Sequence, residues 1–350
     1  MVATSRWIVL ALVCAGLIAG TKSNAQAAAG TAPTDAVSLG LTELKDDLSR
    51  QQLFGEIQAT DRRSGSASAR RAEEAAESFD LRGPFRFPGD TTYDPSANDG
   101  AGGPRVDSYF GIDISHYTSP SFPLDLLKIR NVQFLYMKAT QGAKGLDGKF
   151  AYFWKRAGEL PKGRQVHRGA YHFLSACQDA DCAIAPAAWG KLQAETFVRV
   201  INANGGLLPT DMPPVVDLEW DKASANGPDR WQRRSPQEIV QIVDAFLAEV
   251  QAGLCRTPMI YTAQAWWNER MKATPMSPAM KSASLWLADY SKSSRAIEVP
   301  RTINATKWAL WQFTDAGTMA TGFAGAFDTN IYKGSLPDLY RSLGVQDFAP

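Results

Sequence analysis

Histidine and cysteine are scarce in this chain, and a charge excess is missing altogether. Its 350 residues include 3 histidines and 4 cysteines, with 37 basic against 36 acidic side chains. Balanced charge without a Lys/Arg-rich run argues against a nucleic-acid partner, because neutralising phosphates supplies most of the affinity there. His116, His167 and His172 have no ligand-like spacing, and there is no second cysteine pair, so no zinc site is expected. Calcium-loop spacing is absent too, and the chemistry is expected to need neither metal nor cofactor. The opening strand-like block "GIDIS" has one glycine in the wrong place for a phosphate loop, which argues against a nucleotide enzyme.

The longest apolar stretch near the start, Trp7 to Ala19, is too short to span a bilayer comfortably. It follows one basic residue and precedes a small-x-small pattern at Ala25 and Ala27, so residues 1–27 read as an export signal. The mature protein is therefore expected outside the cytoplasm, periplasmic or extracellular, without stable membrane insertion. Cys14 leaves with the signal. Of the remaining three, Cys177 and Cys182 in "CQDADC" are close enough to staple a short loop by a disulfide, and Cys255 is left over.

Residues 28–105 are charged, small and turn-forming, as in "RRSGSASARRAEEAAESFD" and "FPGDTTYDPSANDGAGGP", and read as a linker or low-order extension. The texture changes after Tyr109. "YFGIDIS", "VQFLYMKAT", "RGAYHFL", "PPVVDLEW", "TPMIYTA", "SLWLADY" and "WALWQFT" are β-rich, and helical stretches alternate with several of them. One helix is announced by Ser235 as cap, Pro236 at the first position and Glu238 three residues after the cap, with a stop expected at Gly253. Strand alternating with helix implies an α/β architecture with parallel strands. Seven or eight strands favour a barrel over residues 106–340.

The block "DMPPVVDLEW", residues 211–220, puts two carboxylates in the middle of an apolar strand. With a period of two, Val215, Asp217 and Glu219 share a face, and the α-carbons of Asp217 and Glu219 are roughly 6.6 Å apart. Two buried charges that close are costly, so one of them is expected to keep a proton, which is what general acid chemistry needs. In a barrel, chemistry gathers at the C-terminal ends of strands. Asp113, Asp217, Glu219 and Asp289 fall there, and Asp328 is expected to follow the last strand. Tyr171, Trp220, Tyr261, Trp286, Tyr290 and Trp311 are aromatics of the kind that line sugar clefts.

The ordered series "FGIDISHY", "FLYMKATQG", "RGAYHFL", "VVDLEW", "IYT", "LWLADY", "LWQFTDAG" and "FDTNIY", from about Tyr109 to Tyr332, resembles the glycoside hydrolase family 25 lysozymes, the Chalaropsis-type muramidases. The resemblance implies an irregular β/α barrel with fewer helices than a regular eightfold one. It implies hydrolysis of the β-1,4 bond between N-acetylmuramic acid and N-acetylglucosamine in the glycan strands of peptidoglycan. Glu219 would be the catalytic acid/base, Asp217 its partner, and Asp113 and Asp328 the other two acidic site residues. Asp289 and Tyr290 would contact sugar or support the architecture.

A glycosidic oxygen leaves poorly, so a proton donor must reach it while negative charge or a nucleophile stabilises the oxocarbenium ion. Glu219 has the reach, and Asp217 and Asp113 would raise its pKa if they stay ionised. The resemblance suggests retention assisted by the substrate's acetamido group, with Asp217 or Asp328 orienting it; double displacement through Asp217 and inversion through an activated water stay open. A chitinase-like N-acetylhexosaminidase also ends a strand with Asp-x-Glu, but its longer run of alternating aspartates is absent. A non-catalytic wall-binding barrel is opposed by the intact acidic set. A monomer is expected.

Overall fold

The computed structural model describes residues 36–44, 79–80, 108–130, 132–224, 227–318 and 327–349. The expected export signal lies outside them, as does most of the expected extension over 28–105. The β-rich blocks form strands. In chain order these are β1 (Thr42–Glu43), β2 (Phe79–Asp80), β3 (Ser108–Ile114), β4 (Val132–Gln141), β5 (Gly145–Leu146) and β6 (His167–Phe173). They continue with β7 (Val215–Asp217), β8 (Met259–Ala263), β9 (Leu285–Ala288), β10 (Leu310–Thr318) and β11 (Phe327–Lys333).

Strands β3, β4 and β6 to β11 close on themselves, because β4 pairs with both β3 and β6 and β11 returns to β3. Around this ring every neighbouring pair is parallel except the two made by β11. Side chains fill the interior. The Trp286 ring lies 4.8 Å from Tyr136 and 5.0 Å from Tyr261, centroid to centroid. Gly169 leaves room for this layer, since a Cβ there would lie 2.3 Å from the Tyr136 ring.

The helices sit outside the ring: α1 (Phe150–Gly158), α2 (Pro186–Ala203), α3 (Pro236–Leu254), α4 (Gln264–Arg270), α5 (Pro278–Ser282), α6 (Lys292–Ile297) and α7 (Leu336–Leu343). Among the described residues, the link from β3 to β4 has two short 3-10 turns, Leu124–Leu126 and Lys128–Arg130, in place of an α-helix. This is the irregular β/α barrel expected from the sequence. Helix α3 starts as anticipated, with Ser235 Oγ accepting from the Glu238 amide at 3.3 Å and Glu238 Oε2 accepting from the Ser235 amide at 2.7 Å. Its stop is one turn-residue later than expected. Gly253 is still helical, and a Cβ there would meet Val198 Cγ1 at 2.6 Å, so its smallness serves packing of α3 on α2. The chain breaks instead at Cys255, in the left-handed region at φ 51°.

Candidate active site

A cleft of about 550 Å³ opens at the rim where the parallel strands end. Asp113 comes from the end of β3 and Asp217 from the last position of β7, with Glu219 two residues further on. Asp328 joins them by a different route from the one expected. It is the second residue of β11 and does not follow a strand; because β11 runs against its neighbours, its start lies at the rim where theirs end. Asp328 and Asp113 are register partners.

The prolines before β7 suit its short length, and the ladder holds both acids in place. The Leu174 amide donates to Asp217 O at 2.9 Å, the Leu218 amide donates to Tyr261 O at 2.9 Å, and Trp231 Nε1 donates to Glu219 O at 2.9 Å. The turn after Trp220 is tied down by charge. Asp229 accepts from the Asp221 amide and from Arg270 Nε, at 2.9 and 2.6 Å, while Arg230 bonds Asp221 at 2.8 Å.

Burial raises the pKa of both acids. Asp217 is pushed up to about 8, against the pull of Lys138 and with help from Asp113. Glu219 is held well above the carboxylate range, first by burial and next by the charge of Asp217. Lys138 opposes the rise on both acids, coming directly after burial among the influences on Asp217 and after burial and Asp217 among those on Glu219. Asp217 Oδ1 is buried without a hydrogen-bond partner among the described residues. An acceptor left unmatched in this way is ready for a donor brought by a ligand.

Three polar residues that the sequence reading passed over complete the site. Lys138, on β4, is buried, donates to Gln141 Oε1 at 2.7 Å and lies 4.8 Å from the Phe173 ring centre. Burial lowers its pKa, and Asp217, Asp147 and Glu219 oppose that effect. Gln312 and Asn330 each donate to Asp113 Oδ2 at 2.8 Å. Each amide is itself fixed: Gln312 Oε1 accepts from Tyr261 and Tyr290, at 2.7 and 2.5 Å, and Asn330 Oδ1 accepts from Trp286 Nε1 at 2.7 Å. A lysine between apolar residues in "FLYMKAT" was the available signal for the first. The two amides look like ordinary strand residues.

The aromatics divide. Tyr171, Trp220, Tyr261 and Trp286 line the cleft. Burial holds the Tyr171 pKa well above its usual value, so its hydroxyl stays a neutral donor. Tyr290 and Trp311 are buried outside the lining; Tyr290 acts through Gln312, and Trp311 Nε1 donates to Asp289 O at 2.8 Å. Asp289 is also outside it. It accepts from Arg301 Nη2 at 2.7 Å, from Ser294 Oγ at 2.5 Å and from the Arg301 amide at 2.7 Å. Burial pushes its pKa up, but the hydrogen bonds and charge of Arg301 outweigh that and leave it lowered. With its oxygens so occupied, Asp289 anchors the segment after β9.

Cys177 and Cys182 form the expected disulfide, and Cys255 lies outside it, exposed. The stapled loop joins the cleft edge: the Ala176 amide donates to Asp221 Oδ2 at 3.0 Å, and Gln178 lines the cleft. Because the closed loop is short, Cys177→Ala is expected to lower global stability by no more than about 2 kcal/mol. Its larger effect should be a raised KM for substrate at unchanged kcat. Thermal unfolding and steady-state kinetics of the variant check both.

A buried acid pair with raised pKa values, two further carboxylates and a wall of aromatics suit a glycoside hydrolase. The chain belongs to glycosyl hydrolases family 25, whose model matches residues 112–321, and it is an enzyme of the lysozyme type. Lysozyme M1 from Streptomyces globisporus is 29% identical over 229 residues, covering 64% of this chain and 68% of that protein. The crystal structure of a bacterial lysozyme from Streptomyces coelicolor superposes with a TM-score of 0.54 at 25% identity, over 67% of this chain and 97% of the other. A family 25 lysozyme from Aspergillus fumigatus gives 0.52 at 25% identity, over 68% of this chain and all of the other (100%).

Proposed function

We propose that this enzyme hydrolyses the β-1,4 bond between N-acetylmuramic acid and N-acetylglucosamine in peptidoglycan glycan strands, with Glu219 as proton donor. The observation that carries the assignment is the pairing of Asp217 and Glu219 at the cleft floor, with both pKa values raised by burial against the pull of Lys138. Glu219 protonates the leaving oxygen. Asp217, whose Oδ1 has no partner of its own, accepts from the substrate's acetamido N–H and stabilises the positive charge that develops as that group assists. Asp113 is held by two amide donors, and Asp328 stands beside it, so both add negative potential near the oxocarbenium ion without needing to move.

Among the described residues no helix is long and apolar enough to cross a membrane. The apolar start of the sequence supports an exported enzyme that works on the wall. Turbidity of purified sacculi tests the reading. The mature protein should clear the suspension and release soluble fragments; binding without clearing would identify a non-catalytic wall-binding barrel instead.

A further inference from the structure

Well before the matched span of 112–321, residues 36–44 are laid against the barrel. A turn closes through Gly40 N to Val37 O at 3.0 Å and Leu41 N to Ala36 O at 2.8 Å, and β1 follows at once. Strand β1 adds in parallel to β5, pairing Thr42 with Gly145 and Glu43 with Leu146. The Thr42 amide donates to Lys144 O at 2.8 Å, and the Leu44 amide donates to Leu146 O at 2.9 Å. Leu41 is buried in the core, with Ala36 and Leu39 packed against the same cluster. The attachment therefore has both a hydrogen-bond ladder and an apolar anchor.

This strap reaches the active site. Strand β5 pairs with the end of β4, Leu146 with Thr140 and Gly145 with Gln141, so β1 extends the sheet outward from the strand that carries Lys138. Leu44 then lines the cleft together with Lys138 and Gln141. Two glycines leave space for the strap. A Cβ on Gly145 would lie 2.7 Å from Leu44 Cδ2, and one on Gly148 would lie 2.1 Å from Glu43 Oε1.

We infer that residues 36–44 form a built-in wall of the substrate cleft and that Leu44 is a glycan-contacting residue that sets affinity on the Gln141 side. An apolar side chain there suits the hydrophobic face of a pyranose ring or the methyl of an acetamido group. An apolar contact of this kind takes no part in the proton transfer and would hold the sugar alike in ground and transition states, so it should act on KM and not on kcat. The inference rests on the muramidase reading, which supplies the sugar.

Two substitutions in the full mature chain test it, read by peptidoglycan kinetics and by amide hydrogen exchange. Leu44→Ala should raise KM about 3- to 10-fold with kcat within about twofold of wild type. Leu41→Asp removes the anchor. It should raise KM to a similar degree and abolish exchange protection at the Thr42 and Leu44 amides while the barrel strands stay protected. A wild-type KM in Leu44→Ala would overturn the inference. So would a wild-type KM in Leu41→Asp once the strap amides exchange freely, or unprotected strap amides in the wild type. If the wild-type protein turns over no peptidoglycan, the muramidase reading fails, and the glycan contact fails with it; the exchange data still report separately whether the strap is docked.

Discussion

Glu219→Gln is expected to reduce kcat on peptidoglycan by about 100-fold or more, with KM nearly unchanged. Glutamine keeps the volume and the reach into the cleft but brings no transferable proton. The backbone bond from Trp231 Nε1 to Glu219 O is untouched, so the residue stays in place. Stability supplies a second readout. Because the folded pKa of Glu219 is raised, its contribution to stability is complete below the ordinary carboxylate pKa and is lost as pH rises toward the folded value. The variant lacks that loss, so it should gain stability relative to wild type as pH climbs from about 4 into the neutral range. Denaturant unfolding across pH measures the difference. A purified variant with near-normal turnover would remove Glu219 from the donor role.

Asp217→Asn should also cost about 100-fold in kcat, and it should shift the pH profile in a way a merely structural residue would not. The wild-type rate should fall on the alkaline side as Glu219 loses its proton. The charge of Asp217 is, after burial, the leading cause of the raised Glu219 pKa. Removing that charge lowers the pKa, so the alkaline limb of kcat should move to lower pH in the variant. Asp217 also sits under the pull of Lys138, and its own value of about 8 reflects burial winning over that pull. The two acids therefore titrate as a pair, and the profile reports the pair. A variant with reduced rate but an unmoved alkaline limb would leave Asp217 without its assigned influence on Glu219.

The acid pair was legible because it breaks a pattern: two prolines and a β-branched run predict a strand, and carboxylates at alternate positions stand out against it. The disulfide was legible from the short cysteine spacing together with the expected export. The direction of β11 was not, because it depends on how the ring closes between β10, just before it, and β3, near the other end of the barrel's sequence. That reversal is why Asp328 begins a strand instead of following one. Asp289 looked like its fellow acids, but its partners Arg301 and Ser294 come from the segment just beyond, where nothing marks them as anchors. Gln312 and Asn330 escaped notice for the opposite reason, since amides in strands are commonplace until a carboxylate is found between them. Residues 36–44 carry no strong strand signal either. They become a strand by pairing with Gly145 and Leu146, about a hundred positions away.

The identity of the new reducing end tests the central assignment most directly. Purified mature protein would digest a defined, uncrosslinked glycan of alternating N-acetylglucosamine and N-acetylmuramic acid, and the products would be reduced with borohydride and identified by mass. Cleavage on the far side of muramic acid places the alditol on N-acetylmuramic acid in every product of the wild-type enzyme, with almost none formed by Glu219→Gln under the same conditions. Products carrying the alditol on N-acetylglucosamine would contradict the muramidase assignment.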